Sequence, residues 1–188
     1  FGQEHALPIG RIESLQKDQQ GRLLIAYREQ GLACWEPNKL HWQLTKQDGL
    51  PSNAVRAVRQ DSVGYYWLAT ARGLVRAGET SEGVQVAAFQ NQDGLESNNL
   101  YCLAFTNAQE LWVGSERGMD RITLDAARNI KSVSFYGAEQ GFTGIETCTD
   151  AALADAQGNL WVGTMNGLML YENKPVRVTR LSPPCLLY

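Results

Sequence analysis

A chain of 188 residues carrying 44% hydrophobic and 20% charged residues is long enough to bury a sizeable core. Its net charge of −3 leaves no cationic surplus to neutralise phosphates, which argues against nucleic acid as a partner. No apolar run reaches the roughly 18 residues of a bilayer-spanning helix, so no membrane insertion of this segment is expected.

Taken in chain order, the sequence reads as short strands broken by glycine-bearing turns. The N-terminal stretch Gln3 to Leu15 parallels Lys46 to Val58, and its apolar run Ile12 to Leu15 leads into LLIAYREQGLACW at Leu23 to Trp35. Next come QDGLPSN at Gln47 to Asn53, the run Val55 to Val58, and a polar turn at Asp61 to Gly64. Asp and Gly suit a hairpin that needs positive φ. YWLATARGLVRA at Tyr66 to Ala77 and VAAF at Val86 to Phe89 complete that unit. The pattern then repeats with QDGLESN at Gln92 to Asn98, Leu100 to Phe105, LWVGSERGMDRI at Leu111 to Ile122 and VSFY at Val133 to Tyr136. It repeats again with EQGFTGIE at Glu139 to Glu146, Ala151 to Ala154, the turn Asp155 to Gly158, and LWVGTMNGLMLY at Leu160 to Tyr171. LDAARNI at Leu124 to Ile130 reads as a variable loop, and no helical period is evident elsewhere.

Trp67, Trp112 and Trp161 recur 45 and 49 residues apart, with Leu24 standing 43 before the first. That spacing is blade length, not the eight to twelve residues of a sandwich meander. The expected fold is all-β: a β-propeller of four blade-type repeats of four antiparallel strands. The units fall at about 1–43, 44–88, 89–135 and 136–175, and 176–188 forms an exit strand or linker toward a following domain.

The Trp strand with its Gly-Leu turn, followed in register by Asp-Gly-Leu-x-Ser-Asn, resembles the two-component regulator propeller repeat across nearly the whole chain. The first unit departs by lacking the Trp, and the fourth by lacking the Asp. The resemblance implies a larger ring, usually of seven blades, in the periplasmic part of a bacterial sensor whose cytoplasmic end is a histidine kinase or a GGDEF diguanylate cyclase; self-association of two four-bladed chains would instead give eight. It also implies that this segment senses or binds and does not catalyse.

Recurrence at one position in every unit assigns Trp67, Trp112 and Trp161 to packing between sheets, since a binding residue needs to occur only once or twice. Gly73, Gly118 and Gly167 are assigned to turns. The DGLxSN motif reads as a structural crossing, with Leu50 and Leu95 plugging between blades. Ser115 shares a slot with Thr70 and Thr164, so it is read as structural and not as a nucleophile.

Neither His5 nor His41 sits in a metal-ligand spacing, and the carboxylates Glu116, Glu139, Glu146 and Asp150 are scattered. No catalytic group, metal or cofactor is expected. Cys34 and Cys102 lie in strand-like runs as small core residues; Cys148 and Cys185 stand far from them.

In a propeller the turns between second and third strands open on the same face as the crossings between blades. Loops on a rigid scaffold are where binding residues concentrate. On that face the candidate ligand-binding residues are Arg72, Glu116, Arg117 and Asn166 from the turns, and Asn98 and Glu146 from the crossings. The expected partner is a small molecule, a saccharide or a protein, with a homodimer as one way of completing the ring. The alternative readings are a protein-interaction scaffold and, third, a propeller enzyme such as a polysaccharide lyase or hydrolase.

Overall fold

The structure, a computed structural model, describes residues 7–144 and 146–173. Blade 1 consists of β1 (Ile12–Lys17), β2 (Leu23–Tyr27), β3 (Leu32–Glu36) and β4 (Lys39–Leu44). Blade 2 consists of β5 (Val55–Gln60), β6 (Tyr66–Thr70), β7 (Gly73–Thr80) and β8 (Gly83–Phe89). Blade 3 has β9 (Leu100–Asn107), β10 (Glu110–Ser115), β11 (Met119–Leu124) and β12 (Ile130–Tyr136). Blade 4 has β13 (Thr147–Ala154), β14 (Leu160–Thr164) and β15 (Gly167–Tyr171). Every sheet is an antiparallel meander in chain order, and the first strands β1, β5, β9 and β13 gather around one axis. The chain is therefore an all-β propeller. A fourth strand for blade 4 and the exit at 176–188 would fall at or beyond the last described residue.

The connections between blades are three-residue 3-10 turns at Lys46–Asp48, Asn91–Asp93 and Ala138–Gln140. No described helix is long and apolar enough to cross a membrane.

The turn between the second and third strands has one construction in three blades. The hydroxyl of Thr70, Ser115 or Thr164 donates to the carbonyl of Gly73, Gly118 or Gly167 and accepts the N–H of Arg72, Arg117 or Asn166. The three glycines have φ of 123°, 142° and 130°, a region that other residues rarely adopt. At Gly73 and Gly118 an added Cβ would also lie 2.5 Å from a backbone carbonyl oxygen of the outer strand. The Ser/Thr hydroxyls and the glycines together build this turn in each of the three blades.

Three apolar cores lie between adjacent blades. Leu24, Cys34, Leu50, Val58, Leu68 and Val75 fill the first; Trp67, Leu74, Leu95, Leu103, Leu111 and Ile122 the second; Trp112, Phe142, Leu160 and Val162 the third. Each tryptophan packs onto the blade that follows it, so Trp67 and Trp112 are buried whereas Trp161, on the last described blade, is half-buried. Register places Leu153, Trp161 and Leu170 in one row across blade 4. Leu153 is 66% exposed, and Leu168 on the same sheet 69%. The expectation that all three tryptophans are buried thus holds for two, because no described blade covers the third.

Cys34 and Cys102 are buried free thiols in these cores, and burial pushes both up to about 12. Cys148 is also a free thiol; Cys185 lies outside the described residues.

Candidate functional site

The crossings hold their shape by local hydrogen bonds. Asp48 Oδ2 accepts the N–H of Thr45, and Asp93 Oδ2 that of Gln90; where the fourth unit lacks this Asp, Gln140 Oε1 accepts from Gly137 N–H. Asn53 and Asn98 accept the N–H of Lys46 and Asn91. Asn98 therefore spends its side-chain oxygen inside the crossing, and its backbone carbonyl accepts Gly73 N–H at 2.6 Å.

On the same face, the turn between β10 and β11 meets the crossing from blade 2. Arg117 Nη1 lies 2.9 Å from Glu96 Oε1, and Ser97 Oγ donates to Glu116 Oε1 at 2.8 Å. This is the one place where two predicted site residues, Glu116 and Arg117, come together. Arg72 and Asn166 sit exposed on the corresponding turns of blades 2 and 4, with Gln90 Nε2 donating to the Arg72 carbonyl.

Glu146 belongs to a second group on the innermost strands. The Arg56 guanidinium lies 4.2 Å over the Tyr101 ring and donates to Asn99 Oδ1 and to the Leu100 carbonyl. Asn99 Nδ2 donates to the Tyr101 hydroxyl. Burial pushes the Tyr101 phenol up, and the neighbouring Glu146 carboxylate adds to the shift. Nearby, Arg59 on β5 reaches across to Asp150 on β13 at 2.8 Å, with Asp150 in a left-handed conformation at φ 53°. Position in the sequence did not signal these pairs, because they join strands about 45 and 91 residues apart.

At the opposite end of the blades a cleft of about 580 Å3 opens beside the strand 1–2 turn and the β7–β8 hairpin. Its lining includes Gln20, Arg22, Tyr65, Arg76, Glu79 and Gln85. Arg22 bridges blades 1 and 2 there: it pairs with Asp18 at 2.7 Å and with Glu79, and it donates to Tyr66 Oη. Burial opposes ionisation of Glu79, but hydrogen bonds from Arg22 and Tyr66 outweigh it and hold the carboxyl down at about 2.

Blades 2 and 3 are tied at the same end by Arg128, in the loop read as variable. Its Nε lies 3.3 Å from Asp61 Oδ2 and its Nη2 donates to Ser62 Oγ. The sequence offered no signal for Arg128 beyond its charge.

Among the described residues, no group of three His, Cys, Asp or Glu is placed to hold a metal ion. His41 lies 3.3 Å from Glu36 and 3.7 Å from Glu79; His5 is outside the described residues.

Radial antiparallel meanders around a shared axis, joined by crossings built on the same 3-10 turn and carrying the Trp strand in three of the four blades, define a β-propeller built from one repeat. Residues 49–72 match the family profile of the two component regulator propeller. Among curated protein sequences none matches the chain significantly.

Solved structures with a similar fold include the extracellular domain of a candidate hybrid two component system from B. thetaiotaomicron, with TM-score 0.73 and 19% identity over 92% of this chain. A second such domain from the same organism gives 0.65 and 18% over 89%. Virginiamycin B lyase from Staphylococcus aureus gives 0.58 and 12% over 86%, covering 55% of that enzyme. The chain spans only 25% and 21% of the two sensor-system structures.

Proposed function

We propose that this chain is a non-catalytic sensing segment of a bacterial signalling protein, located outside the cytoplasm in the periplasm, and that it binds its ligand on the face bearing the crossings. The observation that carries the reading is the two component regulator propeller repeat at residues 49–72. Support comes from fold similarity to extracellular domains of two component systems. The rim chemistry of Glu96, Glu116 and Arg117 suits hydrogen bonding to a polar ligand, a small molecule or saccharide, or to a protein. A purely structural interaction scaffold is the second reading. An enzyme is the third, since a propeller lyase shares the fold, and one architecture serves many functions.

The test is a thermal-shift screen of the purified chain against neutral oligosaccharides, amino acids and carboxylates. The reading expects a ligand whose shift is abolished by Arg117→Ala with Glu116→Ala and retained in Arg76→Ala with Gln85→Ala. The reverse pattern would move the site to the cleft at the opposite end. Turnover of a bound saccharide would overturn the non-catalytic assignment.

A further inference from the structure

The crossings differ at one position in a way that is matched on the next blade. After the buried Leu50 the crossing into blade 2 has Pro51, which carries no N–H, and the residue of β7 paired with Leu68 is Val75. After the buried Leu95 the crossing into blade 3 has Glu96. Its N–H donates at 3.1 Å to Oδ2 of Asp120, which occupies on β11 the place of Val75 and pairs with Val113. In the crossing into blade 4 a contact to the equivalent β15 position comes one residue later, from Gly144 N–H to Met169 Sδ at 3.2 Å. A carboxylate thus stands where the other blades use an alkyl group or a thioether.

Asp120 is 2% exposed, and its Oδ1 is buried without a hydrogen-bond partner; Glu116 Oε2 is in the same condition. The charged group next to it is Glu96 from the crossing, which in turn meets Arg117 of the β10–β11 turn. Arg117 is engaged by two carboxylates, at 2.9 Å from Glu96 and 3.8 Å from Glu116. β10 and β12 present Val113 and Phe135 as the register partners of Asp120. On β11 itself Arg121 is held by Glu110. Two carboxylates, Glu96 and Glu116, therefore share one guanidinium beside the crossing, and Asp120 beneath it is buried with one oxygen unpaired, which is costly for the charged form.

We propose that Asp120 is a protonation switch at the crossing from blade 2 to blade 3, favouring the folded crossing when its carboxyl is neutral and carrying the cost of a buried charge when it is ionised, so that protonation is coupled through Glu96 to the rim formed by Glu96, Ser97, Glu116 and Arg117. A neutral Asp120 still accepts the Glu96 N–H, as a weaker acceptor than the carboxylate, while removing a buried negative charge next to Glu96. This inference rests on the geometry of the crossing and does not require that the rim binds a ligand.

Burial pushes the Asp120 carboxyl from 3.8 up to about 6. Because the folded value is raised, the stabilising contribution is fully present below the unfolded value and is lost as pH rises through about 6. The two values lie about two units apart, which corresponds to about a hundredfold in the unfolding equilibrium at most.

The test uses the whole 188-residue chain. Urea denaturation of wild type and Asp120→Asn is followed at pH 4, 6 and 8, together with a carboxyl NMR titration of Asp120. Expected are a titration midpoint near 6 and a variant that gains on wild type by up to about a hundredfold between pH 4 and pH 8. The double variant Glu96→Pro with Asp120→Val, which copies the Pro51 and Val75 pair, should fold and show the same gain. A midpoint below 4.5, or a wild-type-to-variant ratio constant across pH, overturns the proposal.

Discussion

The indole N–H of Trp67 donates to Asp61 Oδ2 at 3.1 Å, so the aspartate of the strand 1–2 turn also anchors the tryptophan six residues later. Its other oxygen, Oδ1, accepts the N–H groups of Val63 and Tyr65. Asp155 repeats the arrangement with Trp161, Gln157 and Asn159. In blade 3 Glu110 stands in as the acceptor for Trp112 at 2.9 Å. In blade 1, where Leu24 replaces the tryptophan, Asp18 still caps its turn but turns Oδ2 to Arg22. One carboxylate therefore couples a turn to the packing of its sheet.

Asp61 and Asp155 should not be equivalent on removal. Asp61 also pairs with the buried Arg128 of the next blade, so Asp61→Ala strands a buried cation, at a cost of about 3 to 5 kcal/mol. Asp155→Ala loses turn hydrogen bonds and one bond to a half-buried indole and strands no buried cation, so its cost should be clearly smaller. Urea denaturation of the two variants measures both, and equal losses would show that the Arg128 tie contributes nothing.

The same logic separates the tryptophans. Trp112, 1% exposed, touches Tyr136 and Tyr171 with ring centroids 5.0 and 4.7 Å away. Trp112→Ala should cost about 3 to 5 kcal/mol. Trp161→Ala should cost clearly less, because only part of its surface is buried. A Trp161→Ala loss as large as that of Trp112→Ala in chemical denaturation would mean that the outer face of blade 4 is covered in solution.

Features that repeat were legible in the sequence, since recurrence reports what every blade needs. The Trp position, the Ser/Thr slot at Thr70, Ser115 and Thr164, the turn glycines, and the plugging role of Leu50 and Leu95 all follow from register. The Asp61-to-Trp67 spacing of six recurs at Asp155 and Trp161 and was available as a signal in the same way. Features that occur once were not legible. Arg59 with Asp150, Arg56 with Tyr101, and Arg22 with Glu79 join distant strands through side chains whose direction depends on the folded arrangement of the blades. For the candidate site this is decisive: topology identified the face, but Arg117 found Glu96 only in three dimensions, and Asn98 proved to be occupied within its own crossing.

Acid should unlatch blades 1 and 2. The carboxyl of Glu79 is held at about 2, below its usual 4.5. Its folded value is depressed, so its contribution is present above about 4.5 and lost as pH falls toward 2. Glu79→Gln should therefore lower stability at pH 7 while converging on wild type near pH 2. Thermal melts across that range read the difference, and a gap that persists undiminished at pH 2 would assign the loss to packing and not to the ion pair with Arg22.

The first and last described blades present the two halves of one inter-blade interface. Leu15 on β1, opposite Ile25, occupies the place that Leu103, opposite Val113, holds in blade 3. Leu103 is 0% exposed and packs under Trp67, whereas Leu15 is 53% exposed. At the other end Leu153, Trp161, Leu168 and Leu170 form the tryptophan-bearing face that blades 2 and 3 bury against their successors. The three inter-blade cores among the described residues join blades 1–2, 2–3 and 3–4, and no cluster joins blade 4 to blade 1. Exposed apolar faces of this kind drive association, and a face that fits the opposite end of a second copy gives a head-to-tail contact that closes if the rotation allows. The 188-residue chain should therefore self-associate at micromolar concentration, as a dimer completing a ring of eight blades, unless further blades of a longer polypeptide cover both flanks. Leu153→Asp with Leu168→Asp should return it to a monomer without unfolding, since both side chains are already exposed. Light scattering with circular dichroism reads mass and fold together, and a monodisperse 20.8 kDa species that both leucine substitutions leave unchanged would establish a self-sufficient four-bladed ring instead.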